Sequence, residues 1–509
     1  MATLLRCLVI ENESDWQEYL KRPLESLGGT VSVETAANAR AARALLRKQD
    51  SFDLATIDIS LLRPRGDGTV DGSGLQLVEQ FFRQSPETAL LVVTGHSTAA
   101  NTRKLLRDRV YRVFDVVEKS RFNRSSFLRR AREALLDARI RQAQERVSRR
   151  FHLTVAFGRE SWLGCELHGP DFSSPYRAEH PVRFAASDLA RRGDQIDLLL
   201  RDPQTWRQEV TSVGEATRQA LQGDRRIAEN FTRAKAVSDP QNPLWIEFSG
   251  PASGLGIPFE LIWDEGDRLC LKHLLTRRLV EEDGAPSRKT DSFRRFVEKL
   301  ASSRTPLRAL LVSADPTGKL PEIKKEVETL AAEIKIEASR LGLRPEVVLL
   351  LDPAASDIQD ALVKGEFHIF HYAGHGYYNS ALPERSGLFL GEDQDIKATD
   401  LHLLIGGAPL QLAFLSCCVS ARTARESGHG DFRGVFDGLA QADVPAVLGY
   451  RWTVGDAAAT QLAQAFYRSL WRTLSPPQAL FEARRVASMG PLGRDDETWA
   501  SPILLCQTE

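Results

Sequence analysis

No stretch of this chain approaches the ~18–20 consecutive apolar residues that a membrane-spanning helix needs, so no membrane segment is expected. Cysteine is scarce. The six are Cys7, Cys165, Cys270, Cys417, Cys418 and Cys506, and none forms a C-x-x-C pair. That scatter argues against a disulfide framework or a zinc ribbon and fits a reducing, cytoplasmic setting. A free thiolate is available in such a setting. Neither sign of charge dominates, with 67 Lys and Arg against 68 Asp and Glu. This argues against an acidic tail and against a chain that is basic overall. The opening "MATLLRCLVIENESDW" meets acids too early for the apolar core of a signal peptide and lacks its small-residue cleavage site. It reads as a first β-strand. At 509 residues the chain is long enough for roughly two to four domains.

What is there begins with alternation. Over residues 5–120, short apolar runs such as "RCLVI", "VSVETA", "DLATIDIS", "ALLVVTG" and "VFDVVEK" are separated by helical stretches. Five βα units predict a doubly wound, five-stranded parallel sheet of the flavodoxin-like kind. Chemistry in such a sheet gathers at the carboxyl ends of the strands. There stand Glu11, Asn12, Asp58, Thr94 and Lys119.

This arrangement resembles a response-regulator receiver domain. The resemblance implies that Asp58 accepts a phosphoryl group, that Lys119 contacts it and that the Thr94 hydroxyl acts as the switch. It further implies Mg²⁺ held by Glu11, Asn12 and Asp58. Asn12 stands where the family has a second acid, which weakens the expected metal binding. The loop "LLRPRGDGTVDGSG" after Asp58 is longer than expected. Two readings stay open: a phosphorylated receiver served by a histidine kinase, and a receiver fold used only for docking a regulatory protein.

Residues 125–150 read as one long linker helix, with Leu128, Ala131, Leu135 and Ala138 forming an apolar stripe among many arginines. A solvated linker or a dimer seam is favoured over nucleic-acid binding, because no helix-turn-helix or zinc-finger pattern follows. Residues 151–290 hold strand-like and helical stretches without motifs. "QEVTSVGEATRQALQGDRRIAENFTRA" reads as helical and "RLCLKHLLTRRLV" as a strand, and the polar segment 281–292 reads as a loop. From 291 a second alternating αβ series runs to the end of the sequence.

Within that series, "FHIFHYAGHG" and "LQLAFLSCC" each end a buried strand. If these strands are parallel neighbours, His375 and Cys418 face one crevice. Imidazole beside a thiol is a standard device for making a thiolate nucleophile. Backbone N–H groups near Gly376 and Cys418 would stabilise the oxyanion formed on an amide carbonyl. A zinc site on His371 and His375 is disfavoured, because the pair lies on a strand and turn with no Glu between. His368 and His371 are expected to pack or bond locally. Asp437 and Asp456 lie near the crevice by strand order, and neither is assigned to the site.

Residues from about 150 to 509 resemble a CHAT domain, of the caspase- and separase-like cysteine peptidases. The pieces that carry the likeness are "LGIPFELIWDEGDRLCLKHLLTRR", "LVSADPTGKLPEIKKEVETL", "FHIFHYAGHG", "LAFLSCCVSA" and "WASPILL", in the family's order. His375 precedes Cys418 by 43 residues, compatible with a caspase-type spacing of about 50. The resemblance implies a caspase-like α/β fold with a degenerate N-terminal half (151–290) and a catalytic half (291–509), after a receiver at 1–124. It also implies a bacterial signalling endopeptidase that cleaves a protein substrate without a metal, and no third orienting acid is assigned. The L-S-x-C register gives the nucleophile to Cys418 and makes Cys417 a small buried filler. A catalytically silent scaffold using both folds for docking is the other reading. No nucleic acid or membrane partner is expected.

Overall fold

The structure, a computed structural model, describes residues 4–48, 52–59, 61, 73–95, 112–157, 162–169, 176–181, 186–196, 203–240, 242–264, 266–280, 292–377, 385–391, 394–417, 435, 438–439, 442–490 and 498–507. Two compact units divide the chain. The first comprises Met1–Gln144 with Ala301–Pro306 and Glu333–Pro345, and the second comprises Glu145–Leu300, Leu307–Ala332 and Glu346–Glu509. Among the described residues no helix is long and apolar enough to cross a membrane.

The first unit is built on β1 (Leu5–Ile10), β2 (Val31–Ala36), β3 (Leu54–Ile57), β4 (Ala89–Thr94) and β5 (Val113–Glu118), in the order β2-β1-β3-β4-β5. All neighbours are parallel. β3 and β4 are buried along their whole length, as expected of parallel strands covered on both faces. Leu8, Ile10, Ile57, Leu90 and Val92 share one apolar core with Leu77, Val78 and Phe81 of the helix Ser73–Gln84. The strand order reverses between β1 and β3, which opens the crevice at their carboxyl ends. Most of the long loop after Asp58 and the expected helix near 98–108 lie outside the described residues.

The Arg-rich helix runs Arg124–Arg149. It is no solvated rod. Phe127, Ala131, Ala134, Leu135, Leu136, Ala138 and Ala143 are buried. Arg130 pairs with Asp115 at 2.9 Å and Arg139 with Asp53 at 2.6 Å. Two of its arginines thus answer an acid on β5 and one just before β3, others pair within the helix, and the first compact unit runs as far as Gln144. The stripe expected from spacing is wider than Leu128, Ala131, Leu135 and Ala138. Leu128 is only half-buried, and Phe127 and Leu136 take the inward positions.

The second unit carries one large sheet, ordered β14-β13-β15-β18-β19-β20-β12-β9-β6-β7-β8. In chain order these are β6 (His152–Phe157), β7 (Trp162–His168), β8 (Tyr176–Pro181), β9 (Trp245–Gly250), β12 (Leu274–Leu279), β13 (Leu307–Ala314), β14 (Pro345–Leu351), β15 (Ile369–Tyr377), β18 (Leu412–Cys417), β19 (Ala446–Tyr450) and β20 (Pro502–Cys506). A small hairpin, β10 (Trp263–Asp264) and β11 (Asp267–Arg268), stands apart. β16 (Gly387–Phe389) and β17 (Ile396–Lys397) extend β15. β13, β15, β18 and β19 are parallel. β20 then pairs antiparallel with β19 and parallel with β12. The two halves of this unit thus form a single continuous sheet, with the last strand as the joint. One apolar core runs beneath both, from Val155 and Phe248 to Val312, Leu415 and Val447.

Two local readings differ from the sequence expectation. The long helical stretch is two helices, Pro203–Gln222 and Arg225–Ala236, because the Asp224 carboxylate accepts the Arg226 and Ile227 N–H groups and starts a new helix. "RLCLKHLLTRRLV" is not one strand. It contains a single helical turn, Leu269–Lys272, before β12 begins at Leu274.

Inside this unit lies a closed ionic cluster. Arg277 places Nη1 2.5 Å from Glu260 Oε1 and Nη2 2.8 Å from Oε2. Its other donors go to the Leu255 and Ile257 carbonyls. Arg484 approaches the same carboxylate at 3.4 Å and donates to Pro502 O on β20. All three side chains are 1% exposed. Burial opposes ionisation of Glu260, but the Arg277 charge and hydrogen bonds, aided by Arg484, outweigh it and hold the carboxyl below its usual value.

Candidate functional site

Two crevices at strand ends hold described residues that the sequence singles out. In the first unit, Glu11 follows β1 and Asp58 follows β3, where their backbone N–H groups still donate to Ala36 O and Ile10 O. Thr94 ends β4 and Lys119 follows β5. The Lys119 ammonium lies 2.8 Å from Glu11 and 2.9 Å from Asp58, with Glu13 at 3.3 Å. Glu11, Asp58 and Thr94 are buried. Burial disfavours the charged lysine, but the hydrogen bonds and charges of Glu11 and Asp58 prevail and hold it above its ordinary value. The Trp16 ring also faces the ammonium, with its centroid 5.2 Å away.

The metal ligands expected here are thinner than a full set. Glu11 and Asp58 offer two carboxylates to one crevice, and Asn12 is a half-buried neutral residue. Among the described residues no cluster of three or more His, Cys, Asp or Glu is arranged to hold a metal ion. Two carboxylates fit Mg²⁺ only with most of its octahedron filled by water.

The second crevice lies at the ends of β15 and β18. These strands are adjacent and parallel, in register from Ile369↔Leu412 to Gly374↔Cys417. Gly374 is required by closeness. A Cβ there would sit 2.6 Å from Ala314 O and 2.8 Å from the Tyr372 hydroxyl. Beyond it the strand continues, paired with β16 through His375↔Phe389, Gly376↔Leu388 and Tyr377↔Gly387. His375 and Gly376 are therefore held on a strand rather than on a free loop. The Tyr372 hydroxyl, between His375 O at 3.0 Å and Phe389 O at 2.9 Å, ties that extension down. Cys418 lies outside the described residues, as does Asp437.

The pleat separates the side chains. Ala413, Leu415 and Cys417 belong to one apolar core. Phe414 points to the other face, where its ring meets His371 at 5.0 Å and Tyr467 at 6.2 Å. Along β15, His371 and His375 have the same parity and so share a face.

An acid that sequence reasoning did not assign stands beside His375. Asp315 directly follows β13, the neighbour of β15, and its Oδ1 is 3.2 Å from His375 Nε2. The Thr317 hydroxyl lies 2.8 Å from the same nitrogen. Asp315 is fixed in turn by N–H donors of Leu320 and Lys319, at 2.7 and 3.1 Å, and by the Thr317 hydroxyl at 3.0 Å. Burial opposes its ionisation, but these donors and His375 outweigh it and hold the carboxyl below its usual range. The available signal was an acid at the carboxyl end of a strand in "LVSADPTGK".

The remaining candidates bond locally. His371 is fully buried, with Nε2 3.0 Å from Glu326, whose other oxygen accepts the Thr460 hydroxyl. His368 Nδ1 accepts the Arg308 N–H, and burial, with the Arg308 charge, pushes its imidazole down to about 4. Asp456 opens the helix Asp456–Thr473 and accepts the Glu322 N–H at 2.8 Å.

A family model for the CHAT domain matches residues 215–507, and one for the response regulator receiver domain matches residues 7–129. No curated protein matches the chain. Among solved structures, a CheY-like response regulator receiver domain protein from Methanospirillum hungatei JF-1 is 24% identical over 27% of this chain and 97% of its own, with a TM-score of 0.23. The signal receiver domain of an HD domain-containing protein from Pseudomonas fluorescens Pf-5 is 18% identical over 27% of this chain and 98% of its own, at 0.23. A chain of the Saccharomyces cerevisiae separase–securin complex aligns over 78% of this chain and 32% of its own, at 12% identity and 0.40. The N-terminal match covers the five parallel strands with Asp58 and Lys119 at their ends, and the larger match spans more than half of the sequence, so this protein belongs to the CHAT domain family and carries a response regulator receiver domain before it.

Proposed function

We propose that this protein is a receiver-gated cysteine endopeptidase acting on a dedicated protein substrate. The observation that supports it most is the pairing of β15 with β18, in register to Gly374↔Cys417, with Phe414 on the His371 face and Cys417 on the other. In the sequence Cys418 has the parity of Phe414, and we take that parity as the reason to propose it, rather than Cys417, as the nucleophile paired with His375. His375 takes the thiol proton, and the thiolate attacks the scissile carbonyl. Backbone N–H groups near Gly376 and Cys418 receive the oxyanion. The imidazolium then protonates the leaving amine, and water hydrolyses the thioester. Asp315 and Thr317 act through His375 as positioning residues, fixing the ring by their contacts at Nε2. The test is labelling of the full-length protein by a thiol-reactive peptidyl probe, with and without acetyl phosphate and candidate partner proteins. Labelling at Cys418 is expected. Its absence under every condition would leave the protein a signalling scaffold.

Asp315→Asn separates positioning from packing. We expect kcat to fall by up to about 10⁴-fold with little change in KM, the upper end being that of the orienting carboxylate in Ser-His-Asp sites. The readout that packing alone would not move is the split, with kcat falling while KM holds, and Asp315→Glu restoring part of kcat. A KM that rises as kcat falls, together with a lowered Tm, would assign Asp315 a structural role only.

For the receiver, Asp58 is the proposed phosphoacceptor, with Lys119 contacting the phosphoryl group and Thr94 as the switch. Mg²⁺ would be held by Glu11 and Asp58, with Asn12 as a neutral third ligand, and would offset charge on the phosphoryl oxygens. A histidine kinase or a docking protein is the proposed partner. Gating needs different contacts in the two receiver states. Acetyl phosphate with Mg²⁺ should add one phosphoryl mass to the wild type and none to Asp58→Asn. An unmodified wild type would make the receiver a docking module.

A further inference from the structure

The second unit has a cleft of about 430 Å³ that no catalytic residue proposed above lines. Its walls come from the end of the helix Arg225–Ala236 and the loop after it, from the turn Leu269–Lys272, and from the helix Pro476–Ser488. Its size falls in the range of small-molecule sites.

Three cationic side chains line it: Lys235, Lys272 and Arg485. The two lysines converge on one carboxylate, Asp264, at 2.7 and 3.1 Å. That trio has one more positive than negative group, and each ammonium has three N–H donors to distribute. Arg485, exposed on its helix, lies over the Phe481 ring at 5.6 Å. Two acids also line the cleft, and each accepts a backbone N–H in its own turn. Asp239 takes that of Asn242, and Asp267 takes that of Arg268.

The second observation is His273. It lines the same cleft, the residue is 6% exposed, and among the described residues neither ring nitrogen has a hydrogen-bond partner. Burial, reinforced by Lys272 and Lys235 against Asp264, pushes the imidazole down to about 4, so at neutral pH it presents one N–H donor and one acceptor. A buried polar group left unpaired costs about 1–3 kcal/mol. Both nitrogens are sealed from solvent as the cleft stands, so a ligand oxygen takes that donor once the ring turns toward the cleft. Leu271, Phe481 and Met489 supply the apolar part of the wall.

We infer that this cleft binds a small organic anion, with a carboxylate or phosphate head toward His273, Lys272 and Arg485 and an apolar body against Leu271 and Phe481. The inference is independent of whether Cys418 is catalytic. Because a bound anion would bridge the helix Pro476–Ser488 to the turn Leu269–Lys272, occupancy stabilises this unit against unfolding.

The test is thermal unfolding of the full-length chain, at constant ionic strength, in benzoate, phenyl phosphate or benzamide. These share one ring and differ in the head group. A saturable rise in Tm is expected with at least one of the two anions and not with neutral benzamide, and the better anion identifies the head. Arg485→Gln, a surface change that should fold normally, should weaken that binding about tenfold or more. Three results would each overturn the inference: no saturable shift with either anion, an equal shift with benzamide, or an unchanged affinity in Arg485→Gln.

Discussion

Cys418→Ala should abolish substrate cleavage, a loss of about 10³-fold or more, as for other nucleophile deletions. Cys417→Ala should keep most of it. The expectation is unequal because neighbouring strand residues point to opposite faces. Cys417 is 2% exposed and lies in the core with Ala413 and Leu415, where a thiol packs as a small hydrophobe. Shortening it removes one heavy atom, at a cost of order 1 kcal/mol. Phe414, on the other face, meets His371, and His375 is two steps of the pleat further along. Activity of both variants on one substrate, with folding checked by circular dichroism, decides the matter. A dead Cys417→Ala beside an active Cys418→Ala would put the nucleophile one position earlier.

Glu260→Ala should be the most destabilising single change in the second unit, at about 3–5 kcal/mol, the usual cost of removing one partner from a buried ion pair. It strands Arg277 and Arg484, both 1% exposed. It also loosens the hold on Pro502 O, at the strand that joins the two half-sheets. The contribution depends on pH in one direction. The folded carboxyl is depressed below its ordinary value of 4.5, so the stabilisation is complete above that value and fades as pH falls through the depressed one. Urea unfolding at neutral pH measures the loss. A change below about 1 kcal/mol would show that the cluster is no more than a surface-like pair. Arg225→Ala, which removes an exposed partner of Glu229, should leave the curve within error.

Periodicity and strand-end chemistry are local, and both are legible in the sequence. The βα alternation predicted the five-stranded sheet, and its carboxyl ends predicted the meeting of Asp58 and Lys119. The "YAGHG" and "LSCC" endings mark two strand ends whose pairing the sequence leaves as a condition, and the structure makes the strands parallel neighbours. Segments without such punctuation are not legible in that way. The run at 268–280 is apolar enough for a strand, and only tertiary packing put a helical turn at Leu269–Lys272.

The sequence by itself determined the order of the two domain types, the strand-end residues and the candidate thiol and imidazole, because each depends on patterns a few residues long. Only the tertiary structure decided that the two halves of the second unit share one sheet through β20. It alone brought Asp315 to His375 from 60 residues away and Arg484 to Glu260 from 224 away. Such pairs leave no periodic trace. Their partners are chosen by burial, where a charge is tolerated only beside its complement, and that complement can come from any part of the chain that the fold returns to the same place.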